Sequence, residues 1–307
     1  MKLGFGLPVS GSWATGPNQA RIARGAEDLG YASLWTFQRL LHPATGDWAP
    51  AYHSVADPIV TLAYVAAATE RVRLGLAVVN MPFYSPVLLA KALTTLDRVA
   101  AGRLDVGLGL GWSREEFAAV GVPYERRGAR AEEFLACLRA IWADDVVDFR
   151  GEFYEIGPAR VEPRPLQRPH PPLLLGGSAE TALRRVGRLA DGWISGSAHD
   201  LSRIGADIDG IRRAALEAGR RPDRLRFVVR GVVRLGSECR GADGRRRPLT
   251  GSLAQIRGDL AALADSGVTE VFLDLNFDPE VVSPEADPEE SMRRAGEVLE
   301  AFAPAGG

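Results

Sequence analysis

The stretch Leu104–Trp112, LDVGLGLGW, decides the fold. Glycine alternates with apolar residues at Gly107, Gly109 and Gly111, and two readings compete. A dinucleotide-binding loop needs glycine at its first, third and sixth positions, at the turn from a first strand into a helix. Counted from Gly107 the sixth position is Trp112, and the segment does not open a βαβ unit. The fingerprint fails. In a strand, successive side chains point to opposite faces. The three glycines then share one face, and Val106, Leu108 and Leu110 share the other. A glycine face admits close backbone approach. Tight packing of barrel layers and room for a flat ring near a barrel mouth both fit, and the motif leaves both open. Gly4 and Gly6 repeat the device near the N-terminus.

On either side, short apolar strands alternate with amphipathic helical segments. Strands are expected at 2–8, 33–37, 72–80, 104–111, 172–177, 192–197, 225–235 and 270–276. Helices are expected near 18–30, 58–70, 86–101, 128–143, 179–190, 201–219, 252–266 and 286–302. Their apolar positions recur at three and four, as in Ile59, Leu62, Ala63, Ala66 and Ala67. Asp57–Pro58 and Ser85–Pro86 put a capping side chain before a first-turn proline. Gly102 and Gly219 stand where helices end. Eight strand–helix units without a composition break predict an α/β fold of the (β/α)8 TIM-barrel class, as one domain over 1–307. An open doubly wound sheet would have fewer strands per domain and a boundary between halves. Three insertions interrupt the alternation. Residues 38–57 follow the second strand and carry Trp48 and Tyr52. Residues 144–171 read as a small hairpin with a proline-rich return. Residues 236–249, GSECRGADGRRRPL, read as a solvated, mobile loop.

The chain has 307 residues, 46% of them hydrophobic, and a net charge of −2. That charge gives no global basic field for nucleic acid or an anionic membrane. No apolar run is long enough to span a bilayer, and MKLGFGLPVSG enters a strand directly, so a cytoplasmic protein is expected. Cys137 and Cys239 have no metal-ligand spacing, and Cys137 reads as a small buried hydrophobe. Only Lys2 and Lys91 are lysines; every other basic residue is arginine, a bias that suits a high-GC genome such as an actinobacterium's.

LLLGGSAETALRRVGRLADGW (173–193) runs from a strand through Gly176, Gly177 and Ser178 into a helix. Free helix-start amides, a hydroxyl and glycines make an anion site; the same residues also make an ordinary turn with Ser178 as N-cap. Asn80 ends an apolar run on the expected catalytic face, where it is either a site residue or a turn residue. His42 and His53 lie in the 38–57 insertion, within reach of a pocket. No GxSxG, HExxH or Cys–His arrangement is present, which points to chemistry carried by an organic cofactor and to no metal.

Taken in order, AEDLGYASLW, DPIVTLAYVAAATERVRLGLAVVNMPFYSPVLLAKALTTLDRVAAGRLDVGLGLGW, FRGEFYEI and PHPPLLLGGS resemble the luciferase-like monooxygenase family, most closely its deazaflavin-dependent branch. The resemblance is strong over residues 1–195. It implies a (β/α)8 barrel with insertions, usually a homodimer, that binds coenzyme F420 or FMN at the strand C-termini. It implies a phosphate on Gly176, Gly177 and Ser178, and a ring against Ala77–Val78, where relatives often hold a non-proline cis peptide. The segment Gly111–Glu115 would border the ring's polar edge, with Asn80 close by. Sugar-phosphate dehydrogenases of the branch carry Asp-His after the second strand; the matching positions here are Gln38 and Arg39. Luciferases hold the FMN phosphate with an arginine in the fourth-strand motif; here it is Leu110. The resemblance therefore implies an F420-dependent hydride transfer to or from a small organic substrate. Gln38 and Arg39 take the catalytic positions, and Trp48, Tyr52, His53 and Trp112 line the substrate pocket, with Phe83 and Tyr84 extending its apolar wall. The alternatives are an FMN-dependent monooxygenase working with a separate reductase, and a cofactor-binding barrel without turnover.

Overall fold

Eight parallel strands close on themselves in the computed structural model, which describes residues 1–304; residues 305–307 of the expected domain lie outside the described residues. The strands are β1 (Lys2–Gly6), β2 (Ser33–Thr36), β3 (Arg73–Leu76), β4 (Leu104–Gly109), β5 (Leu173–Gly176), β6 (Gly192–Ile194), β7 (Arg226–Val232) and β8 (Glu270–Asp274). Each pairs in parallel with its sequence neighbour, β8 returns to β1, and the ring is complete. This is the (β/α)8 barrel that the alternation predicts.

The crossover helices are α1 (Gly16–Asp28), α2 (Pro58–Ala66), α3 (Pro86–Val99), α4 (Arg127–Ala143), α5 (Glu180–Leu189), α6 (Ile204–Glu217), α7 (Leu253–Asp265) and α8 (Pro288–Ala301). Their ends follow local chemistry. Asp57 accepts from the amides of Ile59 and Val60 and caps α2. Ser252 and Gln255 form a reciprocal capping box on α7. Ser85 precedes α3 but its hydroxyl caps nothing, which corrects that expectation. Gly102 and Gly219 follow their helices with φ of 78° and 70°. The hairpin Val147–Arg150 with Glu155–Ala159 forms as expected inside 144–171.

Side chains at every second strand position fill the barrel in layers. At the N-terminal end, Asp105 is fully buried and bonds Arg73 and Arg226; Glu270 holds Arg226, Ser33 and the Trp35 indole. Above lies an apolar layer in which Trp35 stacks on Phe272 with centroids 5.3 Å apart. Toward the C-terminal ends, Ala77, Gly109, Gly176, Ile194 and Arg230 line a cavity, with Asp274 buried beneath Arg230. Val106 and Leu108 point the other way, into the layer between sheet and helices.

Two strands differ from expectation. The third does not run to residue 80. Regular pairing stops at Leu76, the Ala77–Val78 peptide is cis, and pairing resumes on β4 at Val79–Asn80. The seventh ends at Val232; Arg234–Leu235 leaves the barrel to pair with Thr250–Gly251. The 236–249 loop is exposed at its tip but tied at its end. Leu249 is fully buried, and its amide donates to Asp259 on α7.

Candidate functional site

The cavity at the C-terminal mouth encloses about 610 Å³. Its floor is Ala77–Val78 with Gly109 and Ile194. A Cβ on Gly109 would sit 2.5 Å from Val78 Cγ2 and 3.0 Å from Asn80 Oδ1. The glycine face of β4 therefore makes room first for the turned end of β3. Of the two readings left open by the motif, close packing describes Gly107 and Gly109 directly.

One end of the cavity is an anion cradle. Gly176, Gly177 and Ser178 lead into α5, and Arg127–Gly128 open α4, so two helix N-termini meet there. Gly177 has φ 140°, which glycine adopts without strain. Ser178 is exposed and is not the N-cap; that position is Ala179, without a side-chain bond. The N-cap reading is corrected because the chain stays extended one residue longer. Arg127 lies over the Tyr124 ring at 4.0 Å. Among the described residues it has no carboxylate within 4.0 Å. A cation without an anion, beside open helix-start amides, fits a phosphate.

The opposite wall is polar and buried. Gln38 accepts from the Asn80 amide at 2.9 Å and donates to the Tyr84 hydroxyl at 2.6 Å. Its amide thus ties the end of β2 to the turn after β3, and burial raises the Tyr84 pKa. Arg39 donates to Glu116 at 3.2 Å, while Glu116 also accepts from the Leu40 amide at 2.7 Å. The Arg39 guanidinium sits 4.5 Å from the Trp112 ring and 4.8 Å from Tyr52, with Trp48 behind at 5.7 Å. Burial pulls its pKa down, and Glu116 and Tyr52 oppose that. Phe83 backs this wall through Phe117 at 5.1 Å.

Two expected site residues lie elsewhere. Glu115 is exposed and accepts from its neighbour Ser113; the next residue, Glu116, turns inward on the short helix Arg114–Ala119 and takes the buried position. His53 is exposed and stacks on His42 at 3.8 Å, outside the cavity, because the Pro50–Tyr52 turn sends Tyr52 inward instead. Trp48 supports the wall without lining it, whereas Tyr52 and Trp112 do line it.

Arg230 was missed. It is 6% exposed at an inward position of β7, donates to Asp274 at 2.8 Å and to the Ala77 carbonyl, and lies 5.1 Å from the Phe37 and Phe277 rings. Its Nε is buried without a partner. The signal was its parity: Arg226, Val228 and Arg230 alternate on one strand face, opposite the equally spaced Glu270, Phe272 and Asp274. Among the described residues, no group of three or more His, Cys, Asp or Glu could hold a metal ion. No helix there is long and apolar enough to cross a membrane.

The family described as luciferase-like monooxygenase matches residues 6–257. The chain belongs to the luciferase-like monooxygenase family. An uncharacterized protein of Mycobacterium tuberculosis is 36% identical over 192 residues, covering 59% of this chain and 68% of that one. The FMNH2-dependent dimethylsulfone monooxygenase of Pseudomonas putida is 37% identical over 164 residues, covering 52% of this chain and 45% of that enzyme. In structure, an F420-dependent secondary alcohol dehydrogenase superposes with a TM-score of 0.80 at 17% identity over 98% of both chains. A monooxygenase of Streptomyces bottropensis does so with 0.78 at 23% identity over 99% of both. At these identities the two structures speak to the fold alone. Of these proteins, one is named for F420 and another for FMNH2.

Proposed function

We propose that this luciferase-like protein is an oxidoreductase that transfers a hydride between coenzyme F420 and a small organic substrate. The observation that carries the reading is the cradle: a free Ser178 hydroxyl and an unneutralised Arg127 at two helix N-termini, at one end of a cavity with a flat apolar floor. Those residues fit the phosphate of a flavin-type cofactor, and Ala77–Val78 with Gly109 fit the face of its ring. When bound, the deazaflavin supplies the two-electron chemistry. The chain's own residues orient and exclude water. Gln38 fixes the turn that carries Asn80. Glu116 holds Arg39 against Tyr52 and Trp112, closing the mouth with aromatic surface. Arg230 steadies the Ala77 carbonyl from below. Arg39 is neutralised by Glu116, so its positive charge is largely spent on the protein.

Leu110 favours F420, since the family's FMN-phosphate arginine is missing there. The sulfone monooxygenase relative favours the second reading, an FMN-dependent monooxygenase fed by a separate reductase. Fluorescence titration of the purified protein with each cofactor separates them. We expect F420 to bind at least about tenfold more tightly than FMN, a difference of ~1.4 kcal/mol. Tight FMN binding without F420 binding would reverse the assignment.

A homodimer is proposed with the fold, and exposed apolar side chains on two helices support it. Val60 and Tyr64 on α2 and Leu88 and Val99 on α3 are between 49% and 69% exposed on adjacent helices. Charged substitution of two of them, Val60→Asp with Leu88→Asp, is expected to halve the sedimenting mass at micromolar concentration. A wild-type monomer under those conditions refutes the dimer.

A further inference from the structure

A second cavity of about 700 Å³ adjoins the first and shares Ser197, Arg230 and Phe277 with it. It lies between the exit of β6 and the 236–249 loop. The loop is built rather than slack. Arg246 grips Asp259 with both terminal nitrogens, at 2.8 and 2.7 Å, and donates to the Thr250 carbonyl at 2.6 Å. The Cys239 amide donates to the Thr250 hydroxyl, and the Arg247 amide to the Cys239 carbonyl. These bonds hold the RRR run (245–247) over the cavity.

Six arginines line the space. Arg230, Arg234, Arg240 and Arg246 are matched by Asp274, Asp278, Glu238 and Asp259. Two are left over. Arg245 has only Asp243, at 3.9 Å, and Arg247 has no carboxylate within 4.0 Å among the described residues. Asp200 is also in the lining; the amide and hydroxyl of Ser202 favour its ionised form, and it pairs with none of the six arginines. At the junction of the cavities stands Arg230, whose terminal nitrogens are held by Asp274 and the Ala77 carbonyl. Guanidinium groups match planar carboxylates and phosphates through parallel N–H bonds.

We infer that the second cavity is the subsite for the anionic group of the substrate, making the substrate an organic acid carrying a carboxylate or phosphate. The acid group meets Arg245 and Arg247, and the chain that joins it to the reacting carbon passes Arg230 into the first cavity. This rests on the oxidoreductase reading. The cradle at Gly176–Ser178 lies on the β4–β5 side of the mouth, so a cofactor phosphate held there leaves the β6–β8 side for substrate.

The test uses the full chain without cofactor, in a Ser178→Asp background that puts a repelling charge in the other cradle. Citrate and inorganic phosphate are the probes, followed by calorimetry. We expect one of them to bind with a submillimolar Kd, and Arg245→Ala with Arg247→Ala to weaken it at least about tenfold. Both side chains are exposed, so the fold is retained. On the Ser178 protein, the double variant is expected to change F420 and FMN affinity by less than twofold. No binding of either probe, or binding indifferent to the two arginines, overturns the proposal. Loss of F420 affinity with FMN unaffected also overturns it, assigning the cavity to the acidic tail of the deazaflavin. If neither cofactor binds the wild-type chain, the oxidoreductase reading fails, whereas arginine-dependent probe binding still reports the anion site.

Discussion

Replacing Gly107 by alanine is expected to cost about 3 kcal/mol of folding stability, at the upper end of what one added methyl does in a packed interior. The new Cβ would fall inside the contact distance of the Leu76 carbonyl oxygen and 2.7 Å from Ile194 Cδ1. Ile194 has a rotatable end; the carbonyl does not. β3 and β4 are paired below the contact at Gly75–Asp105, and the chain pairs again above it at Val79–Leu108. Relief therefore requires moving two strands apart. Alanine's restriction of the unfolded chain returns only ~0.4–1 kcal/mol. Gly25→Ala is the control. Gly25 lies within α1, and its Cβ would meet nothing within 4 Å. The same methyl there is expected to add ~0.5–1 kcal/mol. Denaturant unfolding of the two variants checks the opposite signs. A Gly107→Ala midpoint equal to wild type would show that the glycine face serves something other than strand packing.

That contact also explains why LDVGLGLGW was legible as a barrel strand and ambiguous as a site. Alternation is local, and a period of two is visible in nine residues. The partners that make Gly107 and Gly109 necessary are Leu76, Val78 and Ile194, which only the closed barrel brings near. The eight strand–helix units were readable for the same local reason, from apolar runs punctuated by glycine, proline and capping aspartates. The break in β3 was suggested by resemblance alone; VRLGLAVVN reads as one unbroken strand. Buried charges were harder. Glu115 and Glu116 are equivalent in sequence, and a turn of about 100° about the helix axis decides which one reaches Arg39. Tyr52 and His53 are separated in the same way by a single tight turn. Arg230 and Asp274 had the inward parity of their strands, but parity shows a side chain's face and not its partner. The 236–249 loop looked solvated because its composition is polar; its tie to Asp259 depends on a helix that follows it.

The second large effect is expected at Ser178, where one substitution should move fold and binding in opposite directions. Ser178→Asp places a carboxylate two residues before α5, near the positive end of that helix and its free amides. Ser178 is exposed, and its hydroxyl has no protein partner to lose. The apo-protein should therefore melt at the wild-type temperature or slightly above it. A cofactor phosphate on the same amides would face this carboxylate. Two like charges about 4 Å apart near a protein surface repel by roughly 4 kcal/mol before further screening by water. Allowing for that exposure, the loss should be on the order of 2–3 kcal/mol, a weakening of about 30- to 150-fold in cofactor Kd. Ser178→Ala separates charge from the lost hydroxyl, since one hydrogen bond is worth only ~0.5–1.5 kcal/mol. High salt should recover part of the aspartate's effect and little of the alanine's, because only the former is a charge–charge term. Titration of both variants at two ionic strengths reads all of this. Unchanged cofactor affinity in Ser178→Asp, with the fold intact, would move the phosphate away from Gly176–Ser178 and leave Arg127 without the anion its surroundings call for.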